Sequence, residues 1–152
     1  MRLAVGADHA GYALKEEVKR LLDQRGVAYT DFGTDSEARV DYPDFAAKVA
    51  GEVSAGRFDR GILVCGSGIG MAMAANKFAG VRAAAATDVT SARLAREHNN
   101  ANVLSLGERL TTPDMARRIV DTFLDTPFGG GRHAPRVAKV NALGTGRAES
   151  KP

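Results

Sequence analysis

Short apolar runs alternate along the chain with longer segments whose apolar positions recur every three or four residues. "RLAVG" (2–6) reads as a buried strand. Gly11 to Arg25 reads as a helix, with Leu14, Val18, Leu21 and Leu22 at helical spacing and Gly26 as its stop. "VAYTDFG" (27–33) is a second strand leading into a turn, and "SEARVDYPD" (36–44) a polar loop. Asp44 to Ala55 turns Phe45, Val49 and Val53 inward, with Asp44 as its cap. "GILVC" (61–65) predicts a third strand, and Ile69 to Lys77 a helix after a glycine loop. "VRAAAA" (81–86) is the fourth strand, Ser91 to Glu97 a short helix, and "ANVLSLG" (101–107) the fifth strand. "TTPDMARRIVDTFL" (111–124) is helical, with Pro113 in the first turn, where proline is tolerated. After the loop "FGGGRH" (128–133), Pro135 opens a last helix that runs to Leu143.

Strand and helix alternate throughout, with no internal repeat and no linker. Near-continuous apolar strands imply a parallel sheet covered by helices on both faces, hence an α/β fold. In such folds ligands bind in the crevice beyond the carboxyl ends of the strands. That rule selects Ala7, Asp8 and His9; Gly33 and Thr34; Cys65 to Gly70; Thr87 and Asp88; and Gly107, Glu108 and Arg109.

Size and composition narrow the class. The 152 residues suffice for one domain, placed at 1–143, and the polar tail 144–152 has the composition of a disordered segment. Hydrophobic residues make up 44% and charged residues 26%, ordinary for a soluble globular protein. The net charge is only +3, the 21 Lys and Arg are scattered, and Trp is absent, which argues against a nucleic-acid partner. A single cysteine forbids an internal disulfide and fits a reducing compartment. The apolar start is too short for a signal peptide, and no run reaches the length of a membrane span. The expectation is a soluble cytoplasmic protein without membrane contact.

That one cysteine, Cys65, closes an apolar strand and is followed at once by Gly66, Ser67, Gly68 and Gly70. Glycines let the backbone approach a ligand, and free amides at a helix start attract negative charge. The same field favours a thiolate. The competing interpretation is a buried structural cysteine, with glycines serving tight helix–sheet packing. Known phosphate signatures fit badly, because Met71 follows Gly70 where a P-loop needs Lys and Ser or Thr. Asp8 and His9 adjoin at the end of the first strand, either as a helix cap with a solvated histidine or as functional groups. His98, Asn99 and Asn100 sit between a helix and a strand, where His and Asn are common caps. His98 is equally the leading acid–base group in a chain with three histidines. Arg132 and Arg136, four apart at a helix start, suit a phosphate dianion, although isolated arginines are usually solvated; His133 lies between them.

Taken together, "GADHAGYALK", "DYPDFA", "GILVCGSGIGMAMAANKFAGVRAA", "AREHNNANVLSLGER" and "FGGGRHAPRV" resemble the type B ribose-5-phosphate isomerases and the related galactose-6-phosphate isomerase subunits. The resemblance spans residues 2–143 in five ordered blocks. It implies a Rossmann-like three-layer α/β/α sandwich with a five-stranded parallel sheet. It implies a homodimer, or a dimer of dimers, with sites shared between chains. The implied reaction interconverts ribose 5-phosphate and ribulose 5-phosphate through an enediolate, with no metal and no other cofactor. Position by position, Cys65 matches the proton-abstracting base and His98 the group that assists ring opening. Ser67 and Asp8 match catalytic positions. Asp8, His9, Tyr42, Gly66, Ser67, Gly68, Ile69, Gly70, Asn99, Arg109, Arg132 and Arg136 match substrate contacts. Ser67 stands where many members have threonine, which keeps the hydroxyl. A subgroup that replaces the cysteine carries a glutamate six positions later; here that position is Met71, so the base rests on Cys65. A hexose 6-phosphate of the allose or galactose type, or a free rare sugar, is the alternative substrate. A non-enzymatic sugar-phosphate sensor is the alternative class.

Overall fold

A computed structural model of the chain describes residues 1–144. The elements run β1 (Leu3–Ala7), α1 (Tyr12–Gln24), β2 (Tyr29–Asp31), α2 (Tyr42–Ser54), β3 (Arg60–Cys65), α3 (Ile69–Ala75), β4 (Ala83–Ala85), α4 (Val89–Asn99), β5 (Val103–Gly107), α5 (Pro113–Asp125) and α6 (Ala134–Ala142). Short 3₁₀ turns at His9–Gly11 and Gly131–His133 precede α1 and α6. The tail predicted for 144–152 lies, apart from Gly144, outside the described residues.

All five strands pair in parallel, in the order β2-β1-β3-β5-β4. The two-residue period of a strand divides the core between two faces. Leu3, Val5, Ile62, Val64, Leu104 and Leu106 face one side, where they pack with Leu14 and Val18 of α1 and Ile119 and Phe123 of α5. Ala4, Leu63, Cys65 and Val103 face the other, against Val49 and Val53 of α2 and Met71 of α3. This is the three-layer α/β/α sandwich that the alternating pattern implied. Phe123 has no exposed surface, and burial of such a side chain contributes about 1.5–3 kcal/mol.

Helix starts follow local chemistry. The Thr112 hydroxyl accepts the Met115 amide before α5, and Pro113 occupies the first turn. Asp88 and Ser91 form a reciprocal capping box at α4, so that helix begins before Ser91 and extends past Glu97 to carry His98 and Asn99 itself. The expected Asp44 cap is corrected: α2 starts at Tyr42, and Asp44 lies within its first turn. A proline early in the helix and an acidic residue near its amino end are both favourable, which explains the shift.

One connection positions the site. The chain leaves β1 toward β2 at one edge, and α2 then carries it back to β3 on the other side of β1. This reversal opens a crevice at the carboxyl ends of β1 and β3. Asp8 follows one strand end, and Cys65 closes the other.

Candidate active site

At the crevice, the Asp8 amide donates to the Val64 carbonyl at 3.2 Å, which fixes the two strand ends together. The buried Asp8 carboxylate accepts the Gly11 amide at 3.0 Å, so the capping interpretation holds for this residue. His9 is half-buried, with Nδ1 at 3.2 Å from both the carbonyl and the amide of Val40. It borders a concavity of about 670 Å³, also lined by Arg39, Asp41, Asp44, Phe45 and Lys48.

Cys65 is almost fully buried, and its Sγ accepts the Gly68 amide at 3.1 Å. The loop reverses through Gly68 at φ +76°, a conformation that side chains rarely adopt. The Ile69 amide donates to Ser67 Oγ at 3.2 Å. Ser105 Oγ, from β5, donates to the Gly68 carbonyl at 2.6 Å and holds the loop from below. Among the described residues, the amides of Gly66 and Ser67 donate to nothing in the protein. The thiol therefore sits beside two free donors and one donor aimed at its own sulfur.

Two further side chains close on this loop. The Arg109 amide donates to the Gly66 carbonyl at 3.0 Å, and its guanidinium packs over Gly66. The Tyr42 ring lies against Gly70, so close that an added Cβ would stand 2.7 Å from it. Ile69 and Tyr42 are both substantially exposed, and so is Met73 on the same helix as Ile69.

His98, Asn99, Arg132 and Arg136 gather elsewhere. The His98 ring stacks on that of His133, with centroids 4.4 Å apart. Burial, together with the charge of His98, Arg132 and Arg136, holds His133 below the usual histidine range, against an opposing pull from Glu97. The last turn of α4 is pinned by arginines. Arg82 donates to the carbonyls of Asn99 and Asn100, and Arg96 to Ala101 and to Asn100 Oδ1. Burial, with like charge from Arg60 and Arg82, pushes the Arg96 guanidinium down to about 10. A groove of about 960 Å³ runs beside this cluster, lined by Arg82, Asn99, Val137 and Val140 among others.

The two groups occupy opposite ends of the sheet. The Gly61 amide donates to the Asn102 carbonyl, so the turn after α4 meets β3 at its start. Cys65 ends that strand, about 13 Å further along it. One chain thus brings together Asp8, His9, Tyr42, Arg109 and the 65–70 loop, and separately His98, Asn99, Arg132 and Arg136. It does not join the two. Sequence reasoning noted His133 only as lying between the two arginines and did not foresee its stacking on His98, which follows from the fold of the 129–131 loop. It also missed Lys15, fully buried on α1, whose ammonium reaches Asp31 and the Thr34 carbonyl. The Lys15–Asp31 spacing was visible, but charge on a helix usually marks a solvated face.

The family described as Ribose/Galactose Isomerase matches residues 3–140. The chain belongs to that family. Ribose-5-phosphate isomerase B of Escherichia coli (strain K12) is 46% identical over 142 residues, covering 93% of this chain and 95% of the relative. D-erythrulose-4-phosphate isomerase of Pectobacterium atrosepticum is 43% identical, covering 92% and 93%. A solved structure of ribose-5-phosphate isomerase B from Clostridium thermocellum superposes with a TM-score of 0.91 at 52% identity, covering 93% of this isomerase and 95% of that chain. The isomerase is thus an aldose–ketose enzyme by class, and its fold is that of its solved neighbours.

Proposed function

We propose that the chain interconverts ribose 5-phosphate and ribulose 5-phosphate through an enediolate, in a site completed by a second copy of itself. The observation that carries this reading is Cys65 beside the free amides of Gly66 and Ser67. A carbon acid next to a carbonyl is weak, and its removal needs the developing oxyanion held as it forms. Preaimed backbone donors supply about 3 kcal/mol each in comparable oxyanion holes.

The sugar enters mostly as a closed furanose. His98 transfers a proton at the ring and anomeric oxygens, and Asp8 assists from the other side. In the open aldose, the Cys65 thiolate takes the C2 proton. The C2–H electron pair becomes the C1–C2 double bond, and the carbonyl pair moves onto O1, which the loop amides receive. Ser67 already accepts the Ile69 amide, which leaves its hydroxyl proton free to relay between O2 and O1. The thiol then returns its proton to C1 as the C2 carbonyl forms. The route calls for no metal.

His98 and the two arginines reach the Cys65 loop only from another chain, because their own chain holds them at the far end of the sheet. Exposed apolar residues flank both half-sites, Ile69 and Met73 at one and Val140 and Leu143 at the other, as a pairing surface requires. Arg132 and Arg136 then clamp the phosphate, with Asn99 and Arg109 as further contacts.

The test is turnover on ribose 5-phosphate, allose 6-phosphate, galactose 6-phosphate, D-erythrulose 4-phosphate and free ribose and allose, run in deuterated water with and without chelator. The expected result is preference for the pentose phosphate, deuterium in the product and indifference to chelator. Complete retention of the substrate hydrogen points instead to a hydride shift. Binding without turnover of any sugar favours a sensor.

A further inference from the structure

The His98 and His133 rings lie face to face, 4.4 Å between centroids and 14° from parallel. The contact is built by the backbone. The Gly129 amide donates to the Glu97 carbonyl at 2.9 Å, which ties the glycine loop to the last turn of α4. The His133 amide donates to the Gly130 carbonyl at 3.0 Å and closes the turn that lays its ring on His98.

We propose that His133 is a positioning residue whose ring sets the orientation of the His98 imidazole for ring opening. The inference rests on the proposed role of His98. An imidazole turns broadly about its last torsion unless something holds it. Neither His98 ring nitrogen has a hydrogen-bond partner among the described residues, so no hydrogen bond holds it. A hydrogen-bonded orienter would also consume one nitrogen. A stacked ring takes only the face and leaves both nitrogens available in the ring plane for the two sugar oxygens.

The surroundings suit this task. Arg132 and Arg136 lie on the same turn and helix as His133, while Glu97, paired with Arg93 at 2.8 Å, and His98 face it from α4. The cations and burial outweigh Glu97 and hold His133 below the usual histidine range, which favours an uncharged ring face toward His98. The loop that carries a phosphate-binding arginine thereby also fixes the ring that opens the sugar.

Two variants test the idea, His133→Ala and His133→Phe. The alanine variant should lose the ring-current shielding of the His98 Cε1 proton, read by NMR. It should lower kcat on the cyclic aldose phosphate about tenfold or more. KM, and deuterium exchange into the open-chain ketose, should stay within about twofold. The phenylalanine variant keeps a flat ring; it should retain the shielding and recover kcat to within about threefold of the parent. Full aldose turnover in the alanine variant overturns the proposal. So does an equal loss in ketose exchange and KM, which marks a merely structural role, or a phenylalanine variant no better than alanine. If the parent protein turns over no sugar phosphate, the functional reading itself falls and takes this inference with it. The His98 resonance would then still report whether the rings stack.

Discussion

The Gly68 amide donates to the sulfur of Cys65 across 3.1 Å. The loop proposed to receive the oxyanion thus also holds the thiol proposed as the base. Cys65→Ala should abolish isomerisation while a sugar phosphate still binds, measured by calorimetry beside an activity assay. Cys65→Ser should leave a trace of activity. Iodoacetamide should inactivate the parent enzyme, with substrate protecting it. An alanine variant with near-normal turnover would remove Cys65 from its assigned role, since Met71 cannot take a proton.

Tyr42 and Gly70 make a second test. A methyl group on Gly70 would meet the Tyr42 ring at 2.7 Å. The ring is 42% exposed and free to swing outward, so Gly70→Ala should cost little stability. The displaced ring should instead raise KM for the sugar phosphate by roughly threefold to tenfold, with thermal midpoint nearly unchanged. An unchanged KM would take Tyr42 out of the substrate pocket.

Stability should depend asymmetrically on the Lys15–Asp31 pair. The Lys15 side chain has no exposed surface, whereas that of Asp31 is 25% exposed and also pairs with Lys19. Removing the carboxylate leaves the buried ammonium with only the Thr34 carbonyl and Glu16 at 3.8 Å, and breaking such a buried pair costs up to about 3–5 kcal/mol. Removing the cation leaves a carboxylate that still has Lys19 and water. Asp31→Asn should therefore lower the urea midpoint more than Lys15→Met. Burial works against the Asp31 charge, but hydrogen bonds from Lys15, Lys19 and the Gly33 amide outweigh it and hold the carboxyl below its usual range. A lowered carboxyl contributes stability above its unfolded value and loses it as pH falls through the folded one. The parent should lose stability from about pH 5 downward, and Asp31→Asn should show a flatter acid limb in the same titration.

The sequence announced some parts of this architecture more clearly than others. β3 and β5 were legible because buried parallel strands are continuously apolar, and α5 because Thr112 and Pro113 mark its start. β2 and β4 are edge strands of three residues, too short for their pattern to fix their ends. The start of α2 was misplaced because Asp44 looks like a cap, and the sequence does not say which turn the proline enters. The Cys65 loop could be read because every group in it is local. The His98–His133 stack could not, since it joins residues far apart in sequence through a loop whose path depends on packing. The separation of the two residue groups was readable in principle. A helix returning between parallel strands must end beside the amino ends of the strands, away from their carboxyl ends, and His98 precedes β5.

That division gives the last prediction. Arg132 and Arg136 lie with His98, at the end of the sheet away from Cys65. If a second chain supplies them, the homodimer is the smallest active unit. Each charge-assisted contact to phosphate contributes about 1.5–3 kcal/mol. Arg136→Ala should then lower kcat/KM for a phosphorylated sugar by roughly tenfold to a hundredfold. The slow reaction of an unphosphorylated sugar should be nearly untouched. Cys65→Ala alone should be inactive. Mixing the two variants under conditions of subunit exchange gives a dimer in which one site carries both lesions. The other site carries an intact cysteine from one chain and an intact arginine from its partner. Activity on the phosphorylated sugar should rise above that of either homodimer. Subunit exchange demonstrated by mass spectrometry without any rise would place both groups of a working site on one chain, and would refute the shared site.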